Sequence, residues 1–323
     1  MTDITALTTL PPDRPPSTVP ACIVRTGAAG QFAWDEFFSG QIRNHHTRIA
    51  YLHAVRRFLA WIESTGTALE HITPGQVGRY FDQHSGSIPT RKVHLAALRA
   101  FFDVLVNRHV IILNPASTVR GERYQAVEGK TPEIGREQVR QLLSSIDLSK
   151  PVGLRDRAII ATLVYTSARD GAVAALRIAD LKSDGTQYLL RFSEKGGKSR
   201  SIPVRHDLQM YLLAYLEQFD ATAAPKDAPL FRSIAGRTGH LTEKPIRNID
   251  VCRMMKRRLR DAGLPQHFSP HSFRVATITD LLAQGVPLED VQYLAGHADP
   301  RTTRLYDRRQ KQVTRNTVER ISI

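Results

Sequence analysis

SPHSFRVATITDLLAQGVPLEDVQYLAGHADPRTTRLYDR, residues 269–308, is the stretch from which the rest of the chain can be read. Ser269 followed by Pro270 has the form of an N-cap with proline at the first helical position. His271 and Arg274, three apart in the opening turns, then share one face of that helix. A helix N-terminus with free N–H groups, a guanidinium fork and an imidazole together suit a phosphate. Gly296 is placed to end a second helix, and Asp299-Pro300 to begin a third. Tyr306, nine positions after His297, is then expected about two turns into a short helix. A phenol carried close to a phosphate-binding face can act as a nucleophile. A lone histidine or tyrosine on a helix is usually packing or surface; four such residues in this order, each near a helix boundary, ask for a joint explanation.

The 323 residues allow two ordinary domains, each able to bury its own core. With 41% hydrophobic and 24% charged residues the composition is that of a soluble globular protein. No apolar run approaches a membrane span and the N-terminus lacks a basic-then-apolar secretory pattern, so a cytoplasmic protein is expected. Cys22 and Cys252 are too few and too isolated for a disulfide framework or metal cluster, which fits a reducing compartment. The net charge of +14 and pI of about 10.1 point to a polyanion partner, nucleic acid first.

Residues 1–24, with Pro11, Pro12, Pro15, Pro16 and Pro20, read as a flexible tail. Residues 25–118 read as a small helical bundle. Ile49, Leu52, Val55, Phe58, Leu59 and Ile62 recur at helical spacing; Thr73-Pro74 starts another helix, and a third begins near Pro89 with Val93, Leu95, Leu98, Phe102 and Leu105 inward. Arg48, Arg91, Lys92 and Arg99 lie between the apolar positions. Asn114-Pro115 closes the segment. Residues 119–131 read as a linker, and 132–323 as a second, mixed α/β domain with a C-terminal tail. In it, helices over about 154–164 and 207–219 flank a β region expected at 176–181, 187–192 and 200–204, with Gly196-Gly197 as the tight turn. Leu230-Phe231 is expected to pack into the core. A helix from Ile246 to Leu259 carries Arg253, Lys256 and Arg257 on a dense basic surface suited to DNA phosphates. In the tail, Val313, Val318 and Ile321 are loosely helical in spacing.

His271-x-x-Arg274, Leu294-Ala295-Gly296-His297 and Thr302-Thr303-x-x-Tyr306 together resemble the second catalytic box of the tyrosine recombinases, the phage integrase family. The resemblance extends upstream. Arg169, at the corner after Tyr165-Thr166-Ser167-Ala168, matches the family's first catalytic arginine. The acidic residue usual three positions later is replaced by Ala172, with Asp170 adjacent instead. Lys195, in Lys-Gly-x-Lys before an apolar-Pro-apolar strand, matches the hairpin lysine, with Lys198 as the runner-up and otherwise a backbone contact. A Phe-Leu-x-Trp helix, a Thr-Pro helix, a basic helix and Asn-Pro-Ala are similar to the family's core-binding domain. The resemblance implies a mainly α protein: an N-terminal helical core-binding (SAM-like) bundle and a C-terminal tyrosine-recombinase catalytic domain with a small antiparallel sheet, clamped around a duplex.

The implied catalytic set is Arg169, Lys195, His271, Arg274, His297 and Tyr306. Two arginines can neutralise the non-bridging oxygens of one phosphodiester. An unperturbed phenol has a pKa of about 10 and needs a proton acceptor, for which His271 is the choice. Lys195 would protonate the leaving 5′-oxygen, and His297 would hydrogen-bond a non-bridging oxygen. No cofactor, metal or ATP is expected. The partners expected are double-stranded recombination sites and three further copies of the chain in a tetramer on DNA, the free protein being a monomer, with accessory or directionality proteins possible and a nucleoid location. A type IB topoisomerase and a catalytically silent DNA-binding protein are the alternatives.

Overall fold

The computed structural model describes residues 19–123, 131–193, 199–236 and 238–306. Most of the proline-rich tail, the middle of the linker, Lys195, Lys198 and the C-terminal segment with Val313, Val318 and Ile321 therefore lie outside the described residues. The chain divides into two compact units, residues 1–125 and 126–323.

The first unit is all helical: α1 (Ala21–Arg25), α2 (Gly27–Asp35) running into a π-helical turn, α3 (His45–Ser64), α4 (Pro74–Asp82) and α5 (Ile88–Asn107). Helix α1 falls inside the stretch read as tail. Its Cys22 and Ile23 are fully buried, so core packing begins before residue 25. Asn44 caps α3 by accepting from the Thr47 N–H at 3.1 Å. Thr73 and Gln76 form a reciprocal capping box on α4. Trp34, Phe37, Phe38 and Phe101 pack as tilted and edge-to-face rings, with Trp34 and Phe38 centroids 4.5 Å apart, between α2 and α5. Asn114 locks the chain after α5: its amide donates to the Arg99 carbonyl and its Oδ1 accepts from the Ala116 N–H.

The second unit contains α6 (Arg136–Ser144), α7 (Pro151–Thr166), α8 (Asp170–Ala174), β1 (Leu181–Ser183), β2 (Tyr188–Ser193), β3 (Ser199–Pro203), α9 (His206–Leu216), β4 (Arg232–Ile234), β5 (Leu241–Pro245), α10 (Asn248–Asp261), α11 (Pro270–Ala283), α12 (Leu288–Ala295) and α13 (Pro300–Arg304). Helix α7 is apolar nearly all round and packs against α6, α8, α9, α10 and α11, which marks it as the core helix. Its Thr162 and Thr166 hydroxyls return to carbonyls one turn back, so neither is an unsatisfied buried donor. Gly153 is obligatory at the start of α7, because a Cβ there would lie 1.7 Å from the Asp147 carbonyl oxygen.

Strands β1, β2 and β3 form an antiparallel sheet, with Leu190 opposite Ile202 and Phe192 opposite Arg200. The first strand begins at Leu181 rather than Leu176. Residues 178–180 are a 3₁₀ turn in which the Ile178 and Ala179 N–H groups donate to the Ala228 and Lys226 carbonyls instead of a ladder. A second hairpin, β4–β5, was not expected from the sequence. Its strands are short and partly exposed, and they lack the alternation that announces β2 and β3. Leu230 and Phe231, leading into β4, are fully buried as expected.

Candidate active site

Helices α8, α11, α12 and α13 of the second unit converge on one corner. Helix α11 begins at Pro270 after Ser269, whose N–H donates to the Ser272 hydroxyl at 3.0 Å. Its first turns carry His271, exposed by surface area, and Arg274, which is 1% exposed. Helix α12 ends at Gly296 in the left-handed region, φ 63°, which turns the chain to deliver His297. Asp299 caps α13, but that helix stops at Arg304; Tyr306 sits in the turn just past its end, not inside it. Arg169 occupies the N-cap position of α8 and is exposed.

The Tyr306 hydroxyl is 2.8 Å from His271 Nε2, and the Tyr306 ring stacks on His297 with centroids 5.6 Å apart and planes 12° from parallel. Thr279 Oγ1 donates to the Tyr306 carbonyl at 3.2 Å, so both ring and backbone of the tyrosine are held. His297 Nδ1 is 2.9 Å from the buried Thr303 hydroxyl. If that hydroxyl donates to Nδ1, the imidazole N–H is on Nε2, free for an acceptor.

Arg274 Nη1 donates to the carbonyl of Ser167, while its Nη2 is buried without a hydrogen-bond partner. Ser167 is a non-glycine residue at φ 51°, ending α7. A left-handed L-residue costs roughly 1–2 kcal/mol, and here the strained turn aims the carbonyl that fixes Arg274. Among the described residues no carboxylate ion-pairs with Arg169 or Arg274. The Asp170 carboxylate instead accepts from the Cys252 thiol at 3.4 Å, so it does not replace the missing acidic partner of Arg169. That same contact, added to burial, pushes the Cys252 thiol up to about 11.

The uncompensated charges are felt across the site. Burial first, then Arg169, push Arg274 down from the usual guanidinium range, with Tyr306 pulling the other way; it remains a cation. Burial, Arg274 and Arg169 push His297 down to about 3, with His271 and Arg200 adding to the effect. His271 is lowered by the same leading causes. Although its surface area is that of an exposed residue, enough protein surrounds the ring for desolvation to dominate. Both imidazoles are thus neutral near pH 7.

Arg169, His271, Arg274, His297 and Tyr306 are therefore gathered at one place, while Lys195 lies outside the described residues. The residues read as DNA contacts are scattered and mostly engaged. Arg48 donates to the Ile42 carbonyl, Arg91 pairs with Glu122 at 2.8 Å, and Arg99 donates to the Ala116 and Val119 carbonyls. Lys92 is exposed. On α10, Arg253 pairs with Asp250, Lys256 donates to the Gln266 and Phe268 carbonyls, and Arg257 pairs with Asp156. These three, with Arg260, still line a cleft of about 450 Å³.

Two buried charged groups, one at the site and one supporting α10, were not read from the sequence. Arg200 on β3 is 6% exposed and donates to the Leu294 carbonyl. Its signal was available: Arg200 shares the inward parity of Ile202 and Val204. Asp156 on α7, fully buried, accepts from Arg155, Arg257 and Arg258. An Arg-Asp-Arg triplet, residues 155–157, at the head of a largely apolar helix was its only local sign.

The sequence matches the family model "Phage integrase family" over residues 133–313 and "Phage integrase, N-terminal SAM-like domain" over 34–109. The chain belongs to the phage integrase family. Among its relatives, "Tyrosine recombinase XerC" of Chlamydia pneumoniae is 31% identical over 67% of this chain and 66% of its own length, just under two thirds. The protein of the same name from Chlamydia muridarum is 32% identical over 69% and 68%. "Tyrosine recombinase XerD" of Ralstonia nicotianae is 27% identical over 90% and 92%. In fold, the phage integrase chain is similar to a lambda integrase dimer bound to a COC′ core site, at TM-score 0.64 and 16% identity over 87% of this chain and 95% of that one. It is also similar to XerH recombinase bound to difH substrate, at TM-score 0.63 and 19% identity over 89% and 82%.

Proposed function

We propose that this integrase-family protein is a site-specific DNA recombinase that cuts and rejoins strands through a 3′-phosphotyrosyl intermediate on Tyr306. The observation that carries the reading is the 2.8 Å contact of the Tyr306 hydroxyl with His271, beside two arginines, Arg169 and Arg274, with which no carboxylate pairs among the described residues. A phosphodiester held by Arg169 and Arg274 has its two non-bridging oxygens compensated where charge grows in the transition state, one of them by the unpartnered Nη2 of Arg274. Neutral His271 accepts the phenolic proton as the Tyr306 oxygen attacks phosphorus. His297 Nε2–H donates to a non-bridging oxygen. The P–O5′ bond breaks, and the leaving oxygen takes a proton from Lys195. The tyrosyl ester keeps the energy of the phosphodiester, so a 5′-hydroxyl from a second duplex reverses the attack without ATP.

In this reading four copies act on two duplexes, in integration, excision or resolution. Lys92, Arg253, Lys256 and Arg257 contact DNA phosphates; Arg91 joins them on releasing Glu122, while Arg48 and Arg99 brace the backbone behind. The test uses a duplex selected from a randomised pool for binding to the wild type, nicked near the cleavage position so that the adduct is trapped. Wild-type protein should accumulate a covalent adduct, and Tyr306→Phe should form none while binding within about threefold of wild type, since the loss falls on chemistry alone. No adduct from the wild type on its selected duplex would leave only DNA binding.

A further inference from the structure

Arg200 is a buried arginine that the chemistry above does not use. It sits opposite Phe192 in the β2–β3 ladder, with its guanidinium carbon 5.0 Å from the Phe192 ring centroid. Nη1 donates to the Leu294 carbonyl in the last turn of α12. Carbonyls in a final helical turn lack intrahelical partners and form the negative end of the helix dipole, so a cation there meets both needs. Two residues beyond Leu294 the chain turns at Gly296, and the next residue is His297. Arg200 therefore joins the stem of the hairpin to the backbone that delivers the imidazole.

We propose that Arg200 is a positioning residue for strand cleavage: by tying β3 to the end of α12 it holds the His297 ring against the phosphate site and adds a third guanidinium to that site's field. This rests on the recombinase reading above. The groups facing His297 are Thr303 of α13, Tyr306 just beyond it, His271 and Arg274 of α11, Arg169 at the head of α8 and Arg200 itself. Three of the six are guanidiniums, and Arg200 is the one anchored to the segment His297 belongs to. Loss of Arg200 removes both an anchor and a charge, so ring position and protonation should change together.

Arg200→Gln and Arg200→Lys, made in the full chain, separate these roles. Three quantities are compared with wild type: single-turnover adduct formation at saturating nicked duplex, affinity for that duplex, and the pH response of the His297 ¹³C resonance without DNA. Arg200→Gln should slow adduct formation on the order of 10- to 100-fold with affinity within about threefold, the scale of a misplaced active-site group. Its His297 should begin to protonate at higher pH. Arg200→Lys, which keeps a charge and a donor, should recover part of the rate. Cleavage by Arg200→Gln at the wild-type rate overturns the proposal, as does a parallel loss of affinity and rate that lysine does not rescue. If the glutamine variant does not fold, Arg200→Lys decides: a reduced rate at retained affinity supports positioning, and a wild-type rate refutes it. Should the wild type itself form no adduct, the recombinase reading fails, and the His297 resonance still reports separately on Arg200.

Discussion

The imidazole of His297 is 7% exposed and lies flat against Tyr306, and its burial first, then the neighbouring Arg274 and Arg169, push its pKa down to about 3. In the unfolded chain the same group has a pKa of about 6.5. Between those two values the unfolded state binds a proton that the folded state does not, so folding weakens as pH falls through that window. The contribution is at most about 1.4 kcal/mol per pH unit. His271, shifted in the same direction, adds to it. His297→Gln should flatten the pH dependence of stability between about 6.5 and 4 by up to that slope, measured by urea unfolding followed by circular dichroism. The buried His84–His94 pair titrates in both proteins and cancels from the comparison. Identical slopes would mean that His297 is no more shielded than an ordinary surface histidine. At this scale the sequence was informative where a residue sits at a helix boundary: His271, Arg274 and His297 each follow a cap that proline, serine or glycine announces. It was silent about Ser167, because nothing local says that a serine will take a left-handed turn.

Helices α7 and α10 are joined through one carboxylate. Asp156 is fully buried and takes Arg155 on one oxygen, with Arg257 and Arg258 on the other, 101 and 102 residues away. Removing one member of a buried charge cluster strands the others. Asp156→Asn should cost about 3–5 kcal/mol, read as a drop in the urea midpoint. A cost under about 1 kcal/mol would mean the cluster is solvated as a surface pair is. This link adds a buried partner to the basic surface that the sequence places on α10. Helical spacing groups its arginines correctly, but no period encodes the arrival of α7 beneath them. The same limit hid β4–β5, whose residues are set by contact with the rest of the unit and not by alternation. Helices α3, α4, α5, α10 and α11 were legible because caps and apolar stripes are local properties.

For the molecule as a whole, a net charge of +14 sets how binding responds to salt. Each phosphate neutralised releases counterion, so log affinity falls with log salt at about −0.9 per contact. Lys92 is exposed and makes no ion pair among the described residues. Lys92→Gln should lower affinity for duplexes of any sequence and reduce the salt slope by about 1. An unchanged slope, measured by fluorescence anisotropy across a salt series, would remove Lys92 from the interface. Which base pairs are preferred has no counterpart in net charge, which is why composition points to a class of partner and not to a sequence. Tyr306, whose backbone carbonyl is tied to Thr279 and whose ring lies against His297, belongs to the same fold as the arginines it works beside. In the proposed reading nucleophile and electrostatic cradle would then come from a single protomer, so cleavage would proceed in cis at an isolated half-site, and a neighbouring protomer would be needed only for trading ends between duplexes.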